Sequence, residues 1–204
     1  MKPNNASEHA LLIETAQDSR RRFLRQAGTA TFSGIAVALL GGCTITRAAG
    51  TSTASDADDA VAKDVRILNT AVAAEYEAIA AYQVGAESGL LKPQVLKVAL
   101  NFQSQHKQHA EALASAVRKL GGEAADPKTH YNFPVDKLKS QEDVLQFAAG
   151  LERGAVSAYV GAIPLFDHRE LSGAAASILA DEAMHWAVLR HALGLDPVPQ
   201  AFYS

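Results

Sequence analysis

Four segments of the chain place apolar residues at alternating spacings of four and three, the pattern of a helix that buries one face. They span residues 59–88, 93–121, 140–163 and 172–194. Proline, serine and glycine residues stand near their ends, where helices begin and stop. The connections are short, long and short, and the long one, residues 122–139, can cross the end of a bundle. The sequence therefore predicts an all-α four-helix bundle with a long crossover between helices two and three.

The inward positions of these segments repeat in kind as well as in spacing. The first and third segments carry Leu68, Val72, Glu75, Ile79, Tyr82 and Ala86, and Leu145, Ala149, Glu152, Val156, Tyr159 and Ile163. The second and fourth segments carry Phe102, His106, His109, Leu113 and Ala116, and Ile178, Glu182, His185, Leu189 and Ala192. Because residues at these spacings share one helix face, we expect polar and apolar side chains alike to point into the core.

Carboxylates and imidazoles in a bundle core need compensation, because an unpaired buried charge costs several kcal/mol or is neutralised by a shift in its pKa. A metal ion at the depth shared by the polar positions supplies it. The predicted ligands are Glu75, His106, His109, Glu152, Glu182 and His185. The alternative is a polar network in which the histidines and glutamates only pair with one another.

Two tyrosines accompany the glutamates on the inward face. Tyr82 lies seven residues after Glu75, and Tyr159 lies seven residues after Glu152. Seven residues return a helix to nearly the same face. A buried hydroxyl needs a partner, and a carboxylate ligand is the natural one. The alternative is that both are core tyrosines whose hydroxyls are exposed.

The first 43 residues have the character of an export signal. The stretch "SRRRFLRQAG" contains Arg20 and Arg21 and closely resembles the twin-arginine signal recognised by the Tat export machinery. The apolar run that follows it is too short and too rich in glycine to span a membrane as a stable helix. We expect export by the twin-arginine route to the periplasm or cell envelope.

Cys43 ends the apolar run in "LLGGC", which resembles a bacterial lipobox. Lipidation of this cysteine would anchor the mature protein to a membrane. The alternative is ordinary signal cleavage near "TRAAG", with Cys43 discarded. As the only cysteine of the chain, it forms no internal disulfide.

Residues 44–58 are small and polar and are predicted to form a flexible tether before a bundle at 59–195 and a tail at 196–204. Without residues 1–43, the chain keeps 14 of 19 basic and 19 of 22 acidic side chains, a net charge of −5. The basic residues are scattered and no aromatic-basic stripe occurs, so we expect no nucleic-acid binding. The sequence leaves the oligomeric state open, a homodimer included.

Over about 60–195, this chain resembles the ferritin-like superfamily. The carboxylate di-iron pattern of that superfamily consists, on four successive helices, of a glutamate, an E-x-x-H motif, a second glutamate and a second E-x-x-H motif. The matching residues are Glu75, His109, Glu152, Glu182 and His185. The sequence looks most like the exported ferritin-like domain proteins, which include desiccation-related proteins. Tyr82 and Tyr159 resemble the tyrosines near the di-iron site of bacterioferritin. The resemblance implies iron, as one or two ions, or another transition metal such as Mn or Zn.

One position departs from the family pattern. His106 occupies the place of the helix-two glutamate, which typically bridges two irons in the family. A neutral imidazole offers one nitrogen lone pair, and three glutamates supply one negative charge fewer than two Fe²⁺ require. We therefore expect about one ion per chain and weak ferroxidase activity at most.

Two functions compete at this point. The first is an exported metal-binding protein with a redox or metal-stress role, in which Tyr82 and Tyr159 tune the metal or supply electrons. The second is a non-catalytic envelope or stress-protection protein that keeps the bundle with a degenerate metal site. The metal content of the purified protein separates the two.

Overall fold

The computed structural model describes residues 54–203. Arg20, Arg21 and Cys43, on which the predictions of export and lipidation rest, lie outside the described residues, as do the predicted domain boundary at 43 and the first part of the tether. Four long helices form the described part of the chain: α1 (Ala54–Glu87), α2 (Pro93–Lys119), α3 (Gln141–Ala162) and α4 (Arg169–Ala192).

The helices pair as two hairpins, α1 with α2 and α3 with α4, and the hairpins meet along α1–α3 and α2–α4. Because α2 and α3 lie diagonally, the chain between them crosses the end of the bundle and includes the short 3-10 helix Val135–Lys137. The predicted all-α four-helix bundle with a crossover between helices two and three is confirmed.

The helix ends follow local chemistry. Pro93 opens α2, where the amide hydrogen that proline lacks has no partner in the helix. The hydroxyl of Ser140 caps α3 by accepting the amide hydrogen of Asp143 at 3.2 Å, as the sequence predicts. Gly121 and Gly194 follow α2 and α4 with φ of 79° and 72°, a left-handed conformation in which other residues are strained.

Two helix starts differ from the prediction: α4 begins at Arg169 rather than at 172, and the larger difference is at α1. α1 begins at Ala54, so the last five residues of the predicted 44–58 tether are helical. Alanine favours helix, and Asp56 lies in the first turn, where the helix dipole favours a negative charge. The low apolar content that suggested a tether is compatible with the exposed end of a long helix.

Two apolar clusters lie along the bundle core. The larger includes Leu68, Val72, Leu113, Val117 and Ile178. The smaller consists of Tyr82, Phe102, Leu145 and Leu189. Full burial of a leucine or valine contributes about 1.5–3 kcal/mol, so these clusters stabilise the bundle on either side of the polar layer. Among residues 54–203, none of the helices is apolar over a stretch long enough to cross a membrane.

Candidate metal centre

The polar layer between the apolar clusters brings together all six side chains that the sequence predicts as ligands. These are Glu75 from α1, His106 and His109 from α2, Glu152 from α3, and Glu182 and His185 from α4. Their nitrogen and oxygen atoms form two overlapping groups, and within each group the atoms lie within 4.8 Å of one another. Five of the six residues are at most 3% exposed, whereas the side chain of His109 is 13% exposed.

The first group consists of Glu75, His106, His109 and Glu182. Nδ1 of His106 lies 2.8 Å from Oε2 of Glu75 and 3.5 Å from Oε1 of Glu182. Nδ1 of His109 lies 3.0 Å from the same Glu182 oxygen and 3.7 Å from Oε2 of Glu75. Two imidazole nitrogens and two carboxylate oxygens thus face one another.

The second group consists of His106, Glu152, Glu182 and His185. Nε2 of His106 lies 3.3 Å from Oε1 of Glu152. Nδ1 of His185 lies 3.5 Å from Oε1 of Glu152 and 3.5 Å from Oε2 of Glu182. His106 and Glu182 therefore belong to both groups, and each of them turns a different atom to each group.

The outward-facing nitrogens of His109 and His185 are held by a second set of side chains. Oδ2 of Asp181 lies 3.2 Å from Nε2 of His109 and 3.5 Å from Nε2 of His185. The side-chain oxygen of Gln105 also accepts from Nε2 of His185 at 2.9 Å. Acceptors beside Nε2 favour a proton on that nitrogen, so each ring in its neutral form presents the lone pair of Nδ1 to the cluster.

Each tyrosine hydroxyl donates to a glutamate of the other hairpin. Tyr82 on α1 donates to Oε1 of Glu152 on α3, and Tyr159 on α3 donates to Oε1 of Glu75 on α1 at 2.6 Å. Burial and the neighbouring carboxylate raise the pKa of both tyrosines above the ordinary value, so both hydroxyls stay protonated. The prediction that the hydroxyls contact glutamates is correct, but each contact crosses between helices.

His106 carries a strongly shifted pKa because it lies between two carboxylates. Burial disfavours its charged form, but hydrogen bonds to Glu152 and Glu75 outweigh burial and raise its pKa to about 10. Burial likewise raises the pKa of Glu75 and Glu152, and hydrogen bonds with the histidines outweigh it and bring both below the ordinary value. In the absence of metal, His106 is therefore a buried cation between two buried anions.

The other two histidines behave in the same way. Burial opposes their charge, and the nearby carboxylates outweigh burial and raise the pKa of His109 and of His185 to about 9. At neutral pH without metal, three imidazolium groups therefore lie among the buried glutamates.

Three buried polar atoms of this layer have no hydrogen-bond partner: Oε2 of Glu152, Oε2 of Glu182 and Nδ1 of His185. Buried polar groups normally have partners, because losing one costs about 1–3 kcal/mol. All three belong to residues of the second group, so internal pairing satisfies the layer incompletely. Carboxylate oxygens and imidazole nitrogens are donors that suit Fe, Mn and Zn, so the residues fit a transition-metal ion.

A cavity of about 530 Å³ opens between α1 and α3 and reaches this layer. Small side chains line much of it, including Ala71, Ala74, Gly154 and Ala158. Glu75, His106, Glu152 and Tyr159 also line it. This face of the bundle therefore gives an ion or small solute a path to the carboxylates.

Sequence reasoning missed several polar residues of the structure. Asp181 and Gln105 each stand one residue before an inward ligand position, and the i,i+4 spacing of Asp181 from His185 is the signal that predicts their contact. Asp64 is fully buried, and its spacing of four from Leu68 places it on the inward face. Its partner is the half-exposed His168, whose Nδ1 lies 2.7 Å from Oδ2 of Asp64.

Comparison with known proteins agrees with this architecture. The structure resembles a conserved hypothetical protein from Mycobacterium tuberculosis, with 21% identity, a TM-score of 0.60, and coverage of 69% of this chain and 97% of that chain. It also resembles the bacterioferritin of Desulfovibrio desulfuricans, described for its diiron site in different catalytic states, with 20% identity, a TM-score of 0.60, and coverage of 67% and 81%. At these identities, both likenesses show the fold alone.

A third similar structure comes from ferritin-like, diiron-carboxylate proteins of Bacillus anthracis str. Ames, with 26% identity, a TM-score of 0.55, and coverage of 66% of this chain and 97% of that chain. No curated protein matches the sequence. The ferritin-like domain family matches residues 63–195, and the chain belongs to this family. The predicted superfamily is thereby confirmed, while the closer likeness to exported, desiccation-related members stays a prediction.

Proposed function

We propose that this protein binds iron, or another transition metal such as Mn or Zn, in the polar layer of its bundle and serves a redox or metal-stress function. The observation that carries the proposal is the set of unpartnered atoms on Glu152, Glu182 and His185, which lie among further donors at ligand distances. Membership of the ferritin-like family supports iron as the first candidate.

The proposed ligands are Glu75, His106, His109, Glu152, Glu182 and His185. A bound iron or manganese ion supplies one-electron redox chemistry at this place. The carboxylate of Asp181 lies 3.2 Å from Nε2 of His109, and the side-chain oxygen of Gln105 accepts from Nε2 of His185. These contacts orient the imidazole rings, and the hydroxyls of Tyr82 and Tyr159 hold one oxygen of each facing glutamate. Such outer partners preorganise a site and limit the movement of its ligands.

The test is the metal content of the full chain purified without added metal, measured by mass spectrometry of the acidified protein. We expect a transition metal at about one ion per chain or more. The matched control is Glu77→Ala, which changes an exposed glutamate of α1, and it should retain the metal. Glu182→Ala should lose it. Metal at equal, trace amounts in all three proteins would reject the proposal.

A second function has its own support. The raised pKa values of His106, His109 and His185, to about 10, 9 and 9, provide positive charges that balance the glutamates without metal. A non-catalytic envelope protein with a degenerate site would need only this balance. It predicts that the protein purifies without metal and that added Fe²⁺ or Mn²⁺ leaves its thermal stability unchanged.

We also propose export by the Tat machinery, which carries folded proteins and so allows the metal to be loaded in the cytoplasm. The support is the stretch that contains Arg20 and Arg21. Replacing both with lysine should retain the protein in the cytoplasm, and continued export would reject this route. Cys43→Ala should release the mature protein from membranes if lipidation anchors it, and an unchanged membrane fraction would argue for ordinary cleavage.

A further inference from the structure

We propose that His106 binds two metal ions at once, one through each ring nitrogen, and thereby replaces the carboxylate that bridges the metals in the family pattern. The proposal rests on the metal-binding function proposed above. It also revises the expectation of about one ion, which assumed that an imidazole at this position offers a single lone pair.

The ring of His106 separates two sets of donor atoms. Its Nδ1 faces Oε2 of Glu75 at 2.8 Å and Oε1 of Glu182 at 3.5 Å. His109 completes this first set, because its Nδ1 lies 3.0 Å from the same Glu182 oxygen. An ion among these atoms has two nitrogen and two oxygen donors.

The opposite edge of the ring faces the second set. Nε2 of His106 lies 3.3 Å from Oε1 of Glu152, and Nδ1 of His185 lies 3.5 Å from that oxygen. Glu182 turns its other oxygen, Oε2, to Nδ1 of His185 at 3.5 Å. The second set therefore also has two nitrogen and two oxygen donors, and no donor atom is required twice.

Charge favours the same arrangement. Coordination through both nitrogens releases every N–H proton of the ring to solvent, two from the imidazolium of the metal-free protein, and leaves an imidazolate with one negative charge. Three glutamates and one imidazolate carry four negative charges, which neutralise two divalent ions. Replacement of the family's bridging glutamate by His106 removes one negative charge from the site. The imidazolate form of His106 supplies that charge again.

The pattern of satisfied atoms is consistent with this assignment. Oε2 of Glu182 and Nδ1 of His185 both belong to the second set and both lack a hydrogen-bond partner. A single ion in the first set would leave these atoms buried and unsatisfied. A second ion gives each of them a ligand bond.

The test uses Cu²⁺ as a spectroscopic probe with the full chain, after metal removal by a chelator. The number of ions bound is counted by mass spectrometry, and the spins are counted by electron paramagnetic resonance. An imidazolate bridge couples two Cu²⁺ spins antiferromagnetically, so we expect two bound ions and a low-temperature signal well below that of the copper present. His106→Gln, which cannot join two ions through nitrogen, should bind one ion or give an uncoupled signal. The matched control is His191→Gln, an exposed histidine of α4, and it should behave as the natural protein.

The outcomes separate this inference from the proposed function. One Cu²⁺ per natural chain would overturn the bridge and leave metal binding intact. Two ions with the same coupling in the natural protein and in His106→Gln would also overturn it, because Glu182 alone would then join the ions. Absence of binding would overturn both proposals. If His106→Gln does not fold, as circular dichroism would reveal, the ion and spin counts of the natural protein still decide: two coupled ions support the bridge, and two uncoupled ions reject it.

Discussion

The two hairpins of the bundle use the same plan and differ most at one inward position. Each contributes a glutamate, a histidine and a tyrosine at corresponding places, and each tyrosine reaches the glutamate of the other hairpin. At the remaining inward position, α2 carries His106 and α4 carries Glu182. The corresponding position thus holds an imidazole in one hairpin and a carboxyl side chain in the other.

The contacts of these two residues explain why the exchange is compatible with the fold. His106 contacts Glu75 of its own hairpin and Glu152 of the other. Glu182 contacts His109 of the other hairpin and lies near His185 of its own. Either residue therefore joins the two hairpins, although one is an imidazole and the other a carboxyl side chain. A polar side chain thus connects the hairpins at both corresponding positions, and under the proposed function the metal chemistry would depend on which residue makes the connection.

Removal of Glu182 should have the largest effect, because it removes the side chain that joins α4 to His109 of the other hairpin. In the metal-free protein, Glu182→Ala should cost about 3–5 kcal/mol in the free energy of unfolding, since His109 and His185 lose a buried partner. Urea denaturation measures this difference, with Glu77→Ala as the exposed control. A loss no larger than that of the control would show that the histidines are not charged in the native protein.

His106→Glu makes the two hairpins alike and should have the next largest effect. The metal-free variant places a fourth carboxylate among three others and loses a cation, so we expect a loss of about 3 kcal/mol. Fe²⁺ or Mn²⁺ at a hundredfold excess over its Kd should restore about 2.7 kcal/mol. Ferroxidase activity should be higher in this variant than in the natural protein, because the family set of ligands is restored.

Thermal unfolding with and without metal measures the first part, and oxygen-dependent oxidation of Fe²⁺ measures the second. The fluorescence of Trp186, which follows His185 directly, reports metal titration in both proteins. A variant that is as stable without metal as the natural protein would contradict the role of His106 as a buried cation.

The spacing of residues predicted which side chains point inward but not which helix each would contact. Glu75 and Tyr82 were correctly placed on one face of α1, yet the partner of Tyr82 is Glu152 on α3. Periodicity describes a single helix, and the rotation of neighbouring helices is set by packing of the whole bundle. Likewise, Asp181 stands one position away from the inward face and reaches His109 only because α2 and α4 are adjacent.

The crossed tyrosines offer a finer comparison of the hairpins. Tyr82→Phe and Tyr159→Phe should each cost about 2 kcal/mol, because each removes a hydrogen bond to a buried carboxylate. The two losses should be similar if the hairpins are equivalent at this level. Chemical denaturation of both variants measures this, with Tyr131→Phe in the crossover as the control, because the Tyr131 hydroxyl contacts the exposed amide of Lys128 and no buried carboxylate. A marked inequality would show that the neighbouring His106 and Glu182 make the two glutamates unequal.

In each hairpin, one side chain accepts backbone amide hydrogens at the start of a helix of the other hairpin, and these two side chains differ in charge. On α1, Asp64 accepts the backbone amide hydrogens of Asp167 and His168 at 3.0 Å, just before α4 begins. On α3, the side-chain oxygen of Gln141 accepts the amide hydrogen of Lys92 at 2.9 Å, just before α2 begins. Each hairpin therefore fixes the start of a helix in the other hairpin, with a carboxylate at one end and a neutral amide at the other.

This difference predicts a pH dependence that only one end should show, and it is the smallest effect expected. The hydrogen bond to Asp64 raises the pKa of His168 above 6.5. Burial opposes this shift, and the negative charges of Asp64, Glu170 and Asp167 add to it. A raised pKa in the folded state means that the stabilisation is complete below about pH 6.5 and is lost as the pH rises through the raised value. Asp64 remains charged throughout, because hydrogen bonds outweigh its burial and lower its pKa below 3.8.

The difference in unfolding free energy between the natural protein and His168→Ala should therefore be larger at about pH 5.5 than at about pH 9. The corresponding difference for Gln141→Ala should be the same at both pH values, and equal pH behaviour of the two variants would show that His168 acts as a neutral hydrogen-bonding partner.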